Sequence, residues 1–443
     1  IVNPGVVITS TSYSDGCNAG YSTVSQMIDQ QIWDYPQLMH VFSAGNQGGT
    51  NCGPITGWYE ITGGHKVAKN CITVANVTKE DFIAPSSSRG PAEDGRLKPE
   101  ISAVGTNVYS TMDPNTYQVL TGTSMACPGI AGTLTQLYEA WRTEHGGANP
   151  QSDVIKTSVL VTADDLGNSG PDYTFGYGRI NAKHAYDMLH NNQFFTDSVD
   201  QGQNKTFTVT IPSGVSQLRI MLYWNDYPAD PAATTDLVNN LDLTVTDVSS
   251  NTTLPWVLDP TPNNSNLSAN AIHGVDNLNN SELVTINNAT AGTYTIHVAG
   301  TSVPFGVQHF VIGYQLLFDQ VTLTYPIGGE HWVPGETERV RWDSYGASGV
   351  FNIDLSNDGG ATWSNLATAN AALRYADITV PNFISGQMLV RVSRGSLSDV
   401  SDTLFSLIPV PTNFHVTQAC PNSITVKWDL VNGATDYTIY KLG

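Results

Sequence analysis

The feature that most constrains the fold is a change of pattern near residue 194. Before it, apolar strand-like runs alternate with helical patterns. The strand-like runs are at 6–8, 39–42 and 72–75, and the helical patterns cover about 24–35 and 124–143. Strands that alternate with helices predict a parallel, doubly wound α/β sheet. After it, short strands broken by Asn, Gly, Pro and Asp continue without a helix of useful length. The fold class is therefore predicted as multidomain, with an α/β segment followed by all-β sandwich domains.

Four segments follow from this pattern. Residues 1–190 form the α/β segment and 191–320 a first β-sandwich, which is followed by a second set of strands over 321–408. We expect the 321–408 segment to be an Ig-like sandwich. Residues 409–443 begin another strand set, whose alternation resembles the opening of a fibronectin type III domain.

The charge balance excludes several functions. The formal net charge is −20 while only 13% of the 443 residues are charged. The acidic excess argues against a nucleic-acid partner, whose phosphates would be repelled. No run of about 18 apolar residues occurs, so no membrane span is expected. This β-rich, weakly charged composition is typical of a secreted or cell-surface protein.

The first residues, I-V-N-P-G-V-V-I, resemble a strand already in progress, so we expect a piece of a longer precursor.

Two motifs carry candidate chemistry. At residues 122–132, G-T-S-M-A-C-P-G-I-A-G places Ser124 where a loop turns into a helix of small residues. Helix N-terminal amides favour negative charge nearby, which suits a nucleophile, although an N-capping Ser is the common alternative. At residues 42–49, F-S-A-G-N-Q-G-G ends a strand with Asn46. Its amide could donate to an oxyanion in the crevice of an α/β sheet, or it could form a turn.

Together and in this order, these motifs resemble those of the subtilisin-like serine proteases (subtilases). The family signature G-T-S-M-A-x-P is present at 122–128, and A-G-N at 44–46 matches the oxyanion-hole segment. Between them, S-S-R-G-P at 87–91 and D-G-R-L-K-P-E at 94–100 match two further family stretches. The resemblance identifies residues 1–190 as the C-terminal part of a subtilisin-like protease domain.

The resemblance also implies roles for single residues. Ser124 would be the nucleophile and Asn46 the oxyanion donor. The pocket for the side chain before the scissile bond would be lined by Ser43, Ala44 and Gly45. The strand edge that pairs with an extended polypeptide substrate would be Ser12, Tyr13 and Ser14. Many relatives have Gly where this chain has Ser14. Because of this difference, the resemblance does not predict which side chains the pocket accepts.

Half of the expected catalytic machinery has no match in the sequence. A Ser hydroxyl needs a His base that a carboxylate orients, and the family carries both upstream of the Ser in H-G-T-H and D-T/S-G motifs. Neither motif occurs in residues 1–123, and His40 and His65 fit core-edge or loop positions better. Either the N-terminal remainder of the protease domain lies upstream of this chain, or the chain is a catalytically silent remnant. The presence of both Ser124 and Asn46 favours the first.

A calcium site is expected in the first sandwich. Residues 194–320 resemble the jelly-roll domain of one group of alkaline subtilases, through L-Y-W-N-D at 222–226, L-V-N-N-L-D-L at 237–243 and G-T-Y-T-I at 292–296. Residues 191–320 hold 2 basic and 11 acidic residues, and clustered Asp and Asn can supply the oxygens that Ca²⁺ needs. The candidates are Asp226, Asp230, Asp236 and Asp242, followed by Asp276 and Glu282. Relatives usually have Asp at the position of Asn240, and solvated acids are the alternative.

Two smaller features remain. Residues 356–363, S-N-D-G-G-A-T-W, fit the Asp-box pattern of sialidases, but a single copy predicts a braced β-hairpin rather than a glycan-processing enzyme. Among the five cysteines, Cys17 and Cys52 are the favoured disulfide pair in a secreted protein. Cys127 is expected to be a small buried residue, with a cysteine nucleophile as the alternative.

The sequence as a whole predicts a secreted bacterial serine endopeptidase that cleaves extended polypeptides. Its triad Asp and His are expected upstream, so the chain by itself is expected to be inactive. The alternative is a catalytically silent cell-surface adhesion or scaffold protein, in which the β-domains carry the function.

Overall fold

The computed structural model describes residues 5–13, 16, 20–231, 233–346, 349–371, 373–434 and 436–439. The chain divides into two compact units between Leu316 and Leu317. The predicted fold class is confirmed: an α/β segment comes first, and β-sheets in which most strand pairs are antiparallel make up most of the remaining described chain. No helix within the described ranges is long and apolar enough to cross a membrane.

The α/β segment is built on a parallel four-stranded sheet in the order β1-β2-β3-β4. The strands are β1 (Ile8–Thr11), β2 (Met39–Ser43), β3 (Ile72–Val77) and β4 (Ile101–Val104). Both central strands, β2 and β3, are buried along their whole length, as expected for parallel strands covered on both faces. Because β1 pairs only with β2 in the described part of the chain, its outer edge lies open.

Helices cover both faces of this sheet. They are α1 (Thr23–Asp34), α2 (Thr123–Glu144), α3 (Ser152–Val161) and α4 (Ala182–His190), with a 3₁₀ turn at Gly64–Val67. Val41 of β2 shares a core with Leu134 of α2, whereas its neighbour Phe42 packs on the opposite face with Ile32 of α1. Consecutive strand residues point to opposite faces, so the sheet is doubly wound as predicted.

An exposed hairpin precedes α2. Its strands are β5 (Val108–Met112) and β6 (Thr116–Leu120). Tyr109 and Tyr117 stack on each other with ring centroids 5.4 Å apart, and both side chains are largely exposed.

Two four-stranded antiparallel sheets form the first sandwich, in the orders β14-β9-β16-β7 and β11-β10-β15-β8. Its elements are β7 (Phe194–Val199), β8 (Asn204–Ile211), β9 (Val215–Tyr223), β10 (Asn240–Thr246), β11 (Thr252–Thr253), β12 (Trp256–Val257), α5 (Asn264–Leu267), β13 (Ile272–His273), β14 (Ser281–Asn287), β15 (Gly292–Ser302) and β16 (Gln308–Phe318). Met221 and Tyr223 of β9 lie in the same apolar core as Val154 of α3. The first sandwich and the α/β segment are thus parts of one packed body.

The second unit contains its own sandwich. Its strands are β17 (Gln320–Tyr325), β18 (His331–Trp332), β19 (Thr337–Tyr345), β20 (Phe351–Ser356), β21 (Ser364–Ala369), β22 (Tyr375–Thr379), β23 (Ser385–Arg394), β24 (Leu397–Val400) and β25 (Phe405–Leu407). Its core includes the large side chains of Trp332, Trp342 and Phe351. An exposed hairpin, β26 (His415–Cys420) and β27 (Ser423–Lys427), follows. The exact domain limits and the Ig-like and fibronectin-like resemblances stay predictions.

Candidate active site

Ser124 lies at the point where a tight loop becomes helix α2. The helix begins at Thr123, and Ser124 is half-buried in its first turn. The preceding Gly122 donates its amide to the carbonyl of Gly105 at 2.9 Å. A Cβ at Gly105 would lie 2.5 Å from the carbonyl oxygen of Gly122. Glycine is therefore required where these two backbones meet, and their contact fixes the start of the helix.

Asn46 follows β2 and is held by the residue before Ser124. Its Oδ1 accepts from both the amide and the hydroxyl of Thr123, each at 3.0 Å. These two donors assign the orientation of the side-chain amide, because Oδ1 must face Thr123. The Nδ2 group then faces the start of α2, 3.2 Å from where a Cβ on Gly122 would lie, and Asn46 itself is exposed.

The loop that carries Asn46 is fixed from behind by the S-S-R-G-P stretch. Ser88 donates its amide to the carbonyl of Gly45 at 2.9 Å, and its Oγ accepts from the amide of Gln47 at 3.0 Å. Gly45 has φ +111°, and a Cβ there would lie 2.9 Å from Ser88 Oγ. Glycine is thus the residue that this position permits. The sequence showed that the two stretches occur together, but not that one holds the other.

The predicted substrate edge contacts Ser124 directly. Ser12, just after β1, donates its hydroxyl to the Ser124 carbonyl, and Ser124 Oγ donates to the Ser12 carbonyl, both at 3.1 Å. Tyr13 is 65% exposed, and its ring centroid lies 4.8 Å from that of His65. Ser14 lies outside the described residues. The structure therefore places Ser12 against Ser124, and the substrate-binding role of Ser12, Tyr13 and Ser14 stays a prediction.

The predicted pocket wall is buried, and His65, which the sequence analysis assigned to a core-edge or loop position, packs against the strand that carries it. Ser43, Ala44 and Gly45 are all buried at the end of β2. His65 lies in the same region, with its ring centroid 4.6 Å from that of Phe42. Only the Gly-Gly pair before His65 marks it in the sequence, which is too common a signal to indicate a pocket.

Neither histidine near the sheet hydrogen-bonds to Ser124. His40 Nδ1 pairs with Thr9 Oγ1 at 2.6 Å, and its Nε2 pairs with Gln31 Oε1 at 3.1 Å. Burial lowers the pKa of His40 to about 4. Over the described ranges, the hydrogen bond that Ser124 Oγ makes is the one to the Ser12 carbonyl. The His base and its carboxylate are thus not assembled by the described part of the chain.

The D-G-R-L-K-P-E stretch serves as a buried ionic framework. Arg96 contacts Asp94 and, across to the first sandwich, Asp236, both at 2.7 Å. Lys98 pairs with Glu100, whose second oxygen accepts from the amide of Thr73 at 2.8 Å. The stretch thus links β3, β4 and the first sandwich through buried ion pairs and hydrogen bonds.

The predicted metal ligands fall into separate environments. Asp226 forms a fully buried ion pair with Lys69 at 2.5 Å, and Asp236 pairs with Arg96. Asp230 is exposed. Asp242, Asp276 and Glu282 lie elsewhere in the sandwich, near β10 and β14. In the described ranges, no group of three or more His, Cys, Asp or Glu side chains converges as a metal site would.

The cysteines and the Asp-box pattern have structural roles. Cys52 is disulfide-bonded, whereas Cys71, Cys127 and Cys420 are free thiols; the predicted partner Cys17 lies outside the described residues. Cys127 is fully buried, and burial raises the pKa of its thiol, which disfavours a thiolate nucleophile. In the Asp-box, Asp358 accepts from the amide of Thr362 at 2.9 Å and so braces the predicted hairpin.

Comparison with known families agrees with this geometry. Residues 1–178 match the subtilase family, and residues 203–300 match the bacterial pre-peptidase C-terminal domain. The chain therefore carries a subtilase segment of the serine protease class, followed by a bacterial pre-peptidase C-terminal domain.

Individual relatives are distant and much longer. The chain is 24% identical over 278 residues to a serine protease/ABC transporter B family protein of Dictyostelium discoideum, which covers 54% of this chain and 16% of that protein. It is 29% identical over 144 residues to a PII-type proteinase of Lactococcus lactis subsp. cremoris, covering 29% of this chain and 8% of that one. It is 32% identical over 106 residues to the C5a peptidase of Streptococcus pyogenes, covering 22% of this chain and 9% of that one.

One of the similar solved structures is the self-cleaved protease domain of PatA. It is 19% identical, with a TM-score of 0.35 over 43% of this chain and 64% of that one.

Proposed function

We propose that this chain supplies the nucleophile and the oxyanion hole of a secreted serine endopeptidase. The observation that carries the proposal is the hydrogen bonding of Asn46 to Thr123, the residue directly before Ser124. Thr123 fixes the Asn46 amide by two hydrogen bonds, which leaves its Nδ2 aimed at the start of α2. Donors that are oriented before the reaction stabilise a developing oxyanion without reorganisation at the moment of reaction.

The chemistry of the site follows from these positions. Ser124 Oγ would attack the carbonyl carbon of the scissile peptide while its proton passes to a His imidazole. The oxyanion of the tetrahedral intermediate would accept from Asn46 Nδ2 and from amides at the start of α2, whose dipole favours negative charge. The imidazolium would return the proton to the leaving amine, and water would then release the acyl group from Ser124.

The His and the Asp of this scheme are expected on the N-terminal remainder of the protease domain. Two observations support this. His40 is engaged with Thr9 and Gln31, and β1 has an open edge on which further parallel sheet can form. The remainder would belong to the same precursor or to a separate chain.

The substrate is proposed to be an extended polypeptide. Ser12 and Tyr13 lie directly after β1 and beside Ser124, where backbone groups can pair with a peptide strand. Ser43, Ala44 and Gly45 form the wall facing the side chain before the scissile bond. A disulfide at Cys52 supports an oxidising, extracellular location.

The second candidate is a silent scaffold protein. It is favoured by one observation: Ser124 Oγ donates to a backbone carbonyl, not to a base. The two candidates differ in what a serine-directed fluorophosphonate does when the upstream segment is present. The protease is labelled at Ser124, and the Ser124→Ala variant is not; the scaffold is labelled in neither form.

A further inference from the structure

A proline near the start of α2 leaves one backbone carbonyl of the helix without its usual donor. In an α-helix, the carbonyl of each residue accepts from the amide four residues further on. Pro128 lies inside α2, four residues after Ser124, and proline has no amide hydrogen. Its ring also crowds the carbonyl four residues before it. The Ser124 carbonyl therefore cannot receive the hydrogen bond that position 128 of a regular helix would donate.

The residue after β1 supplies a donor to this carbonyl. Ser12 donates its hydroxyl to the Ser124 carbonyl at 3.1 Å, although the two residues are 112 positions apart in the chain. Backbone carbonyls are strong acceptors, and folded proteins pair nearly all of those that water does not reach. A side-chain hydroxyl from the sheet thus takes the place of an amide within the helix.

A second hydrogen bond joins the same two residues in the opposite direction. Ser124 Oγ donates to the Ser12 carbonyl, also at 3.1 Å. One bond is made by the backbone of Ser124 and the other by its side chain. Together they restrict both the position of the first helical turn and the direction in which the Ser124 side chain points.

The other polar contacts between this part of the sheet and α2 involve a different helical residue. Cys127 Sγ lies 3.6 Å from the hydroxyl of Ser10 and donates to the carbonyls of Thr11 at 3.6 Å and Val41 at 3.5 Å. A thiol is a weak donor and a weak acceptor. These contacts hold α2 against the sheet, whereas within the described ranges the hydrogen bonds from this strand end to Ser124 are those of Ser12.

We propose that Ser12 is a positioning residue, whose hydroxyl holds Ser124 by replacing the hydrogen bond that Pro128 cannot donate. This inference rests on the proposed function, because it takes Ser124 as the nucleophile. When the Ser124 hydroxyl gives its proton to the His base, its own bond to the Ser12 carbonyl ends. The bond from the Ser12 hydroxyl to the Ser124 carbonyl remains, because no atom of that bond takes part in the reaction. The first turn of α2 is therefore held in place while Oγ attacks.

The positioning role can be separated from the substrate-edge role predicted for the same residue. Pairing with a peptide strand uses the backbone of Ser12, whereas positioning uses its side chain. Loss of the hydroxyl should therefore lower kcat for a peptide substrate and leave KM unchanged, as expected when only transition-state stabilisation is lost. A small fluorophosphonate has no peptide strand to pair, so its rate of reaction reports on the nucleophile itself.

The test is the rate of fluorophosphonate labelling, together with kcat and KM for a peptide, in the protein that carries its upstream protease segment. Ser12→Ala should be labelled about two- to tenfold more slowly, the range that the loss of one hydrogen bond gives. Ser12→Thr keeps the hydroxyl and should be labelled at the wild-type rate. The matched control is Ser10→Ala, which removes an exposed hydroxyl of β1 that contacts Cys127 and not Ser124; it should also react at the wild-type rate.

A double-mutant cycle with Pro128→Ala tests the physical cause. Alanine restores an amide at position 128 that can donate to the Ser124 carbonyl, so the hydroxyl of Ser12 is no longer the donor on which this carbonyl depends. Ser12→Ala should therefore slow labelling much less in the Pro128→Ala background than in the wild-type background. This coupling between the two positions is what the cycle measures.

Three results would overturn the positioning role and leave the proposed function standing: a wild-type labelling rate in Ser12→Ala, an equal slowing in both backgrounds, or a raised KM with unchanged kcat. A wild type that is not labelled would instead overturn the proposed function. In that case the same four proteins still decide whether the hydrogen bond exists, through their free energies of unfolding. Additive changes in these free energies would exclude it.

Discussion

The two β-sandwiches have similar strand content but differ in what they pack against. Met221 and Tyr223 of the first lie in one core with the α/β segment, and Lys69 and Arg96 of that segment form buried ion pairs with it. The core of the second consists of residues from its own strands. The first sandwich is therefore an integral part of the protease body, whereas the second is self-contained. The strand pattern of the sequence alone does not show whether a β-sandwich has a core of its own or shares one with a neighbouring segment.

The largest expected effect comes from the buried ion pair between Lys69 and Asp226. Lys69→Met leaves the Asp226 carboxylate buried without a cation, which should lower the free energy of unfolding of the first unit by about 3–5 kcal/mol. Chemical denaturation followed by tryptophan fluorescence measures this. Lys183→Met, which removes the exposed pair with Asp187 on α4, is the control and should change stability by no more than about 0.5 kcal/mol. An equally small effect of Lys69→Met would contradict an integral first sandwich.

Substitutions that shorten core side chains should affect the two sandwiches differently. Met221→Ala in β9 should destabilise by about 2–5 kcal/mol and should speed amide exchange in α3, because β9 packs against that helix. Phe351→Ala in the second core should lower stability by about 3–5 kcal/mol and should leave α3 protection unchanged. Hydrogen–deuterium exchange with mass spectrometry reports both. If Phe351→Ala also loosened α3, the second sandwich would not be self-contained.

The smallest expected effect is a pH dependence at the same junction. His309 of β16 pairs with the buried Asp153 of α3 at 2.9 Å, and this hydrogen bond is the main cause that raises the pKa of His309. A raised folded-state pKa gives stability that is present below about pH 6.5 and lost as the pH rises through the higher folded value. Because the His309 side chain is 47% exposed, the change should be at most about 1 kcal/mol.

His309→Gln should flatten this part of the curve of unfolding free energy against pH. The matched control is His331→Gln, at an exposed histidine of the second sandwich, which should leave the curve of the first unit as it is. A wild-type slope in His309→Gln would place the pH-sensitive group elsewhere.

Much of the architecture could be predicted because periodicity and local motifs encode it. The helix expected at about 24–35 is Thr23–Asp34, and the one at 124–143 is Thr123–Glu144. Ser124 and Asn46, 78 positions apart, were paired by resemblance, and Thr123 is seen to link them. Local sequence carries these features directly.

Contacts between distant segments could not be predicted in the same way. Lys69 and Asp226 are 157 residues apart, and nothing in either local sequence indicates that one neutralises the other. The acidic composition of the sandwich indicated metal binding for Asp226 and Asp236, which in the structure pair with Lys69 and Arg96.

The most direct test of the central claim is fluorophosphonate labelling of the protein that carries its upstream protease segment, with the labelled residue identified by mass spectrometry. We predict a single label on Ser124, no label in Ser124→Ala, and a labelling rate about 10²–10³-fold lower in Asn46→Ala, which loses one oxyanion donor. Absence of a label with the upstream segment present, or a wild-type rate in Asn46→Ala, would contradict it.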